Sequence, residues 1–113
     1  MLEIENGKIA ILMATYNGEK YIRQQVESIM NQTEQDFLLV IHDDGSTDGT
    51  VEVIEELAAI YGASRLQILE GPSTGSAKMN FLWMLSQVQA SYYMFADQDD
   101  VWKMDKIAKS KER

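Results

Sequence analysis

Tyr92-Tyr93-Met94-Phe95-Ala96-Asp97-Gln98-Asp99-Asp100 is an apolar, aromatic-rich run that ends abruptly in carboxylates. The run suits a buried strand, with Tyr92, Tyr93 and Phe95 read as core residues. Asp97, Asp99 and Asp100 together cannot enter a core unless a cation or ordered donors offset their charge. They therefore mark an edge, and in an open α/β sheet the carboxyl ends of the strands form the edge at which ligands bind.

Working outward from this stretch, the same succession of apolar run, polar loop and helical periodicity recurs along the chain. Lys8-Ile9-Ala10-Ile11-Leu12-Met13-Ala14 reads as a strand buried on both faces, as parallel strands are. Thr15-Tyr16-Asn17-Gly18 breaks it, and Ile22, Val26, Ile29 and Met30 then predict a helix over 19–32. Phe37 to His42 is the second strand, leading through Asp43-Asp44-Gly45-Ser46-Thr47-Asp48 into a helix that carries Val51, Ile54, Leu57, Ala58 and Tyr61 and stops at Gly62. Leu66 to Leu69 is a third strand, and Gly71-Pro72-Ser73-Thr74-Gly75 turns the chain into a helix with Ala77, Phe81, Met84, Leu85 and Val88 inward. After the fourth strand, Tyr92 to Ala96, a last helix is expected through Trp102 and Ile107, capped by Asp100.

Alternating strands and helices predict an α/β fold, a mostly parallel sheet of about four strands with helices on both faces. Right-handed crossovers bring the ends of all four strands to one edge, so four loops distant in sequence converge on one polar cleft, with helix N-termini aimed at it. The expected organisation is a lead at 1–7, one domain over 8–107 and a tail at 108–113.

With 113 residues, 45% of them hydrophobic, the chain can build one modest core. A net charge of −8 argues against nucleic acid or an anionic membrane surface as the main partner. The absence of cysteine and the single His42 exclude thiolate and His-rich metal sites, so any metal is expected to be oxygen-bound. No run approaches the roughly 20 apolar residues of a membrane span, and the acidic start lacks the features of a signal peptide, so the expected compartment is the cytoplasm.

Asp97-Gln98-Asp99 with Asp100 has two readings: carboxylates that hold Mg²⁺ or Mn²⁺ against a ligand's phosphates, or an Asp-rich turn that caps the next helix. Asp43 and Asp44 likewise suit either a ligand's N–H and hydroxyl groups or an Asx turn. Asp44, Ser46, Asp48, Gly49 and Glu55 also have the spacing of a calcium-binding EF-hand loop, although that motif needs an entering helix where the sequence predicts a strand. Gly75 can let a helix N-terminus approach phosphates, and Lys78 and Asn80 on the following helix can reach a phosphate or sugar. His42 reads as a structural residue at a strand end.

Taken together, Ala14-Thr15-Tyr16-Asn17, Asp43-Asp44-Gly45-Ser46-Thr47-Asp48, Gly75 with Asn80, and Ala96-Asp97-Gln98-Asp99-Asp100, followed by Trp102 and Asp105-Lys106-Ile107, resemble glycosyltransferase family 2, in the bacterial branch that builds polysaccharides and glycoproteins. The resemblance implies a Rossmann-like GT-A fold that binds a nucleotide-diphosphate sugar (UDP-, dTDP- or GDP-linked) with a divalent metal and transfers the sugar with inversion to a glycan or glycoprotein acceptor. It implies that Thr15, Tyr16, Asn17 and Glu19 line the nucleoside, Asp44 faces the base, Asp97 lies near the ribose or metal waters, and Asp99 ligates the metal. Ala14, Ser73 and Met104 depart from residues frequent in the family. The acceptor-binding half and the general base are expected to be missing, which leaves a donor-binding part of a transferase. The alternative is a short non-catalytic nucleotide- or metal-binding module acting in assembly or regulation. In a longer protein the compartment becomes the inner face of the membrane. Exposed edges left by a missing half predict a homo-oligomer with the last helix docking on a neighbour.

Overall fold

The computed structural model describes residues 2–97, 103 and 106–111, the side chains of 97, 110 and 111 excepted. The centre of the fold is β2 (Ile9–Thr15), every residue of which is buried. It pairs in parallel with β3 (Phe37–Asp43) on one side and with β6 (Tyr92–Asp97) on the other. The short β4 (Leu66–Ile68) adds to β3, giving a parallel four-stranded sheet in the order β4-β3-β2-β6.

Strand alternation sends Ile9, Ile11 and Met13 to one face, where they pack with Phe37, Leu39 and Ile41. α1 (Ile22–Met30), α2 (Thr50–Tyr61) and α4 (Lys106–Lys111) cover that face through residues such as Val26, Leu57 and Ile107. Ala10, Leu12, Leu38 and Val40 point the other way and are covered by α3 (Ala77–Gln87) through Met84. The predicted α/β sheet with helices on both faces is what forms.

Several expectations need correction. α1 starts at Ile22 rather than Glu19, because the Gly18 and Glu19 amides donate outward to the Thr50 hydroxyl and the Asp48 carboxylate instead of opening a helix. α3 turns Met84 inward with Phe81 and Leu85 packed beside it, as expected, but the buried Asn80 joins that face, Ala77 is exposed, and the helix stops at Gln87. Val88 instead opens the short β5 (Val88–Gln89), which pairs with β1 (Leu2–Glu3), so part of the lead is tied into a second small sheet. The boundary placed between 107 and 108 falls inside α4. Ile107 is buried in the chain's own core and its amide donates to Gln32 Oε1.

The aromatic strand differs most. β6 lies at the edge of the four-stranded sheet, and Tyr92 and Phe95 are 60% and 50% exposed, with Tyr93 also exposed. An edge strand has a neighbour on one side only, and α3 covers little beyond Phe95, whose ring meets Phe81 edge-on at 5.0 Å. Asp99, Asp100 and Trp102 lie outside the described residues. Two substitutions test this division: Leu39→Ala is expected to lower unfolding free energy by about 2–5 kcal/mol, whereas Tyr92→Ser changes it by about 0.5 kcal/mol or less. Chemical denaturation measures both, and a larger loss for Tyr92→Ser than for Leu39→Ala contradicts the assignment.

Candidate functional site

The loops after β2 and β3 are joined by hydrogen bonds at the carboxyl edge of the sheet. Asp43, directly across from Thr15 in register, accepts from the Thr15 hydroxyl at 2.7 Å, from the Gly45 and Ser46 amides at 3.1 and 2.7 Å, and from the Ser46 hydroxyl at 2.6 Å. This is the Asx-turn reading of Asp43, extended across to the neighbouring strand. Asn17 takes a left-handed conformation at φ 48°, which asparagine tolerates, and so donates its amide to Ser46 and accepts from the Thr47 amide, both at 2.8 Å. Glu19 accepts from the Gly49 amide at 3.0 Å.

Asp44 turns to the third loop. Its carboxylate accepts from the Thr74 amide, from the Thr74 hydroxyl at 2.8 Å and from the Gly75 amide at 2.9 Å. Burial pushes this carboxyl up, but the Thr74 and Gly75 hydrogen bonds and the nearby His42 outweigh it and hold the group below its ordinary value. Asp48 is also held low, chiefly by the Thr50 hydroxyl, against a smaller opposing effect of burial and with further help from the Thr50 and Glu19 amides. The EF-hand reading fails here, because a strand and not a helix enters the loop, and the Asp44 and Asp48 carboxylates are already occupied by N–H and O–H donors.

These contacts enclose a cleft of about 660 Å³. One wall is Thr15 and Tyr16, the floor includes Ala14 and Asn80, and the other wall runs from Ser73 to Ala77, where Ser76 caps α3 by accepting from the Met79 amide. Asp44 and Gly45 close the end. Of the residues singled out from sequence, Thr15, Tyr16, Asp44 and Gly75 meet here. Asn17, Glu19 and Asp43 stand behind the rim and brace it. Lys78 faces away, lining a separate apolar groove with Phe81, Leu82 and Phe95. Asp97 is opposite Ala14 in register, which places the carboxyl end of β6 beside the cleft.

Sequence reasoning missed Trp83, which packs on His42 with ring centroids 4.3 Å apart and fills the space next to Gly71, where a Cβ would collide with it. Nor does the sequence show that the Ser73 hydroxyl lies against Gly45, a residue at φ +88°. Residues a few places apart in different loops give no pattern in one dimension, although the glycines themselves were a usable sign of close approach.

A parallel sheet whose polar loops gather over its carboxyl edge, with a capped helix opening onto the cleft, defines an α/β unit of the ligand-binding kind. The chain belongs to glycosyl transferase family 2, whose model matches residues 10–112. The dTDP-rhamnosyl transferase RfbG of Shigella flexneri is 41% identical over 99 residues, covering 84% of this chain and 34% of that protein. The crystal structure of S. aureus TarS 1–349 in complex with UDP-GlcNAc superposes with a TM-score of 0.73 at 28% identity, over 93% of this chain and 30% of that one. The mannosyltransferase PcManGT from Pyrobaculum calidifontis, in complex with GDP-Man and Mn²⁺, has the same fold, with a TM-score of 0.78 at 23% identity over 92% and 31% of the two chains. The fold is therefore GT-A, and the chain spans about a third of the length of these relatives.

The Asp44 contacts carry a pH prediction. A carboxyl with a depressed folded value stabilises its loop above the ordinary value and loses that contribution as pH falls through the depressed one. The Gly75 amide resonance is therefore expected to titrate with a midpoint below 3.8, and Asp44→Asn, which sets an N–H against N–H donors, abolishes that titration. A midpoint at or above 3.8 in the native protein contradicts the assignment.

Proposed function

We propose that this chain is the donor-binding part of an inverting glycosyltransferase, which receives a nucleotide-diphosphate sugar in the cleft. The observation that carries this reading is the convergence of the β2, β3 and α3 loops on one cleft, with the end of β6 alongside it. Thr15 and Tyr16 line the nucleoside, with Asn17 and Glu19 bracing them from behind. Asp44 serves the base while its hydrogen bonds hold the opposite wall, and Gly75 lets that wall approach the phosphates. Lys78 acts at most on a sugar or phosphate that reaches past the rim.

Among the described residues that line the cleft there is no lysine or arginine. Diphosphate charge there falls to backbone and hydroxyl donors and to a cation. Asp97, which ends β6, and Asp99, two residues further along the sequence, are hard oxygen donors that suit Mg²⁺ or Mn²⁺ and are the residues assigned to hold it. When bound, such an ion stabilises the charge that develops on the departing diphosphate. The acceptor, a glycan or glycoprotein, and the general base that deprotonates its hydroxyl are assigned to the remainder of a longer protein.

Calorimetric titration of UDP, dTDP and GDP, each with and without Mn²⁺, tests the reading. One diphosphate is expected to bind at least about tenfold more tightly with Mn²⁺, and Asp99→Ala removes that increment. Failure of all three to bind, or affinity indifferent to both Mn²⁺ and Asp99, sinks it.

A further inference from the structure

Beneath the cleft, at the buried end of β3, lies a polar pair that the lining does not by itself explain. His42 and Asn80 are each 1% exposed. His42 Nδ1 is 2.7 Å from Asn80 Oδ1, and Asn80 Nδ2 donates to the His42 carbonyl at 2.9 Å. A carbonyl can only accept, which fixes the orientation of the amide. Asn80 Oδ1 is then the acceptor and Nδ1 the donor, which leaves Nε2 as the ring's other polar atom. That Nε2 is buried without a hydrogen-bond partner, while the ring lies against Trp83.

A half-satisfied imidazole is a poorer core residue than an apolar side chain packed on the same tryptophan. What it supplies is position. Asn80 sits in the first turn of α3, with its own amide bonded to the Ser76 carbonyl at 2.9 Å, and it lines the cleft. The reciprocal pair therefore fastens the start of α3 to β3. Two residues further along the chain from His42, Asp44 fastens Thr74 and Gly75 in the same way.

We propose that His42, acting through Asn80, is a positioning residue that sets the 73–77 wall of the cleft at the distance a nucleoside diphosphate requires. The inference rests on the nucleotide reading of the cleft. A purely structural role for the pair predicts that removing both polar partners together is harmless, since no donor or acceptor is then orphaned. A positioning role predicts lost affinity at retained stability.

The decisive variant is the double substitution His42→Leu with Asn80→Leu, compared with His42→Leu alone. Both variants are expected to raise the Kd for whichever of UDP, dTDP or GDP binds the native protein with Mn²⁺ at least about tenfold, His42→Leu doing so with the lining residue Asn80 intact, while the double variant melts within about 4 °C of the native protein. Undiminished affinity in either folded variant overturns the proposal and leaves the nucleotide reading standing. Failure of every diphosphate to bind the native protein removes both. Should the double variant not fold, nitrogen-15 NMR of the native protein decides: saturation with the bound diphosphate is expected to shift the His42 ring and Asn80 side-chain amide resonances, and unchanged resonances refute the coupling.

Discussion

The fold depends on burying β2 completely. A strand covered on both faces can leave no backbone group without a partner and no side chain in water, so it needs a paired strand on each side and a packed layer above and below. β3 and β6 supply the pairing, α1 and α2 one layer and α3 the other. Once these constraints are met in parallel, the strand ends share one edge. The cleft follows from the burial of β2.

At that edge the two neighbouring aspartates divide the work. Asp43 ties its own turn to Thr15 and so joins the β2 and β3 loops, while Asp44 reaches across to Thr74 and Gly75 and joins the third. A carboxylate that accepts several N–H and O–H donors is a strong organiser at a partly exposed site, where a neutral side chain would leave donors unmet. His42 extends the same logic one layer down, through Asn80. The end of β3 thus presents alternate residues to separate tasks: His42 and Asp44 hold the α3 wall, and Asp43 holds the β2 loop.

Much of this was legible in one dimension. The continuous apolar runs at Ile9–Ala14 and Phe37–Ile41 read as strands buried on both faces, and the polar residues that follow them mark an edge. The family resemblance followed from the order of those edges. The aromatic run was misjudged because residue type does not reveal whether a strand has one neighbour or two, and Tyr92 and Phe95 are exposed for that reason. The sequence offers Asn80 as a residue that can reach a phosphate or sugar, and it does line the cleft; its burial against His42 is not legible there, since a buried amide gives no apolar signal in a periodicity.

The sequence by itself determined the order of the four strands of the main sheet and of the helices between them, the sheet's parallel character and the polar loops destined for its carboxyl edge, because hydrophobic periodicity and turn chemistry are local properties. Only the tertiary structure decided which carboxylate braces and which one spans, that Lys78 faces away from the cleft, and that His42 has Asn80 as its partner. Those outcomes depend on hydrogen-bond geometry between segments about 30 to 40 residues apart, and direction across such a gap is fixed only once the sheet and α3 have packed.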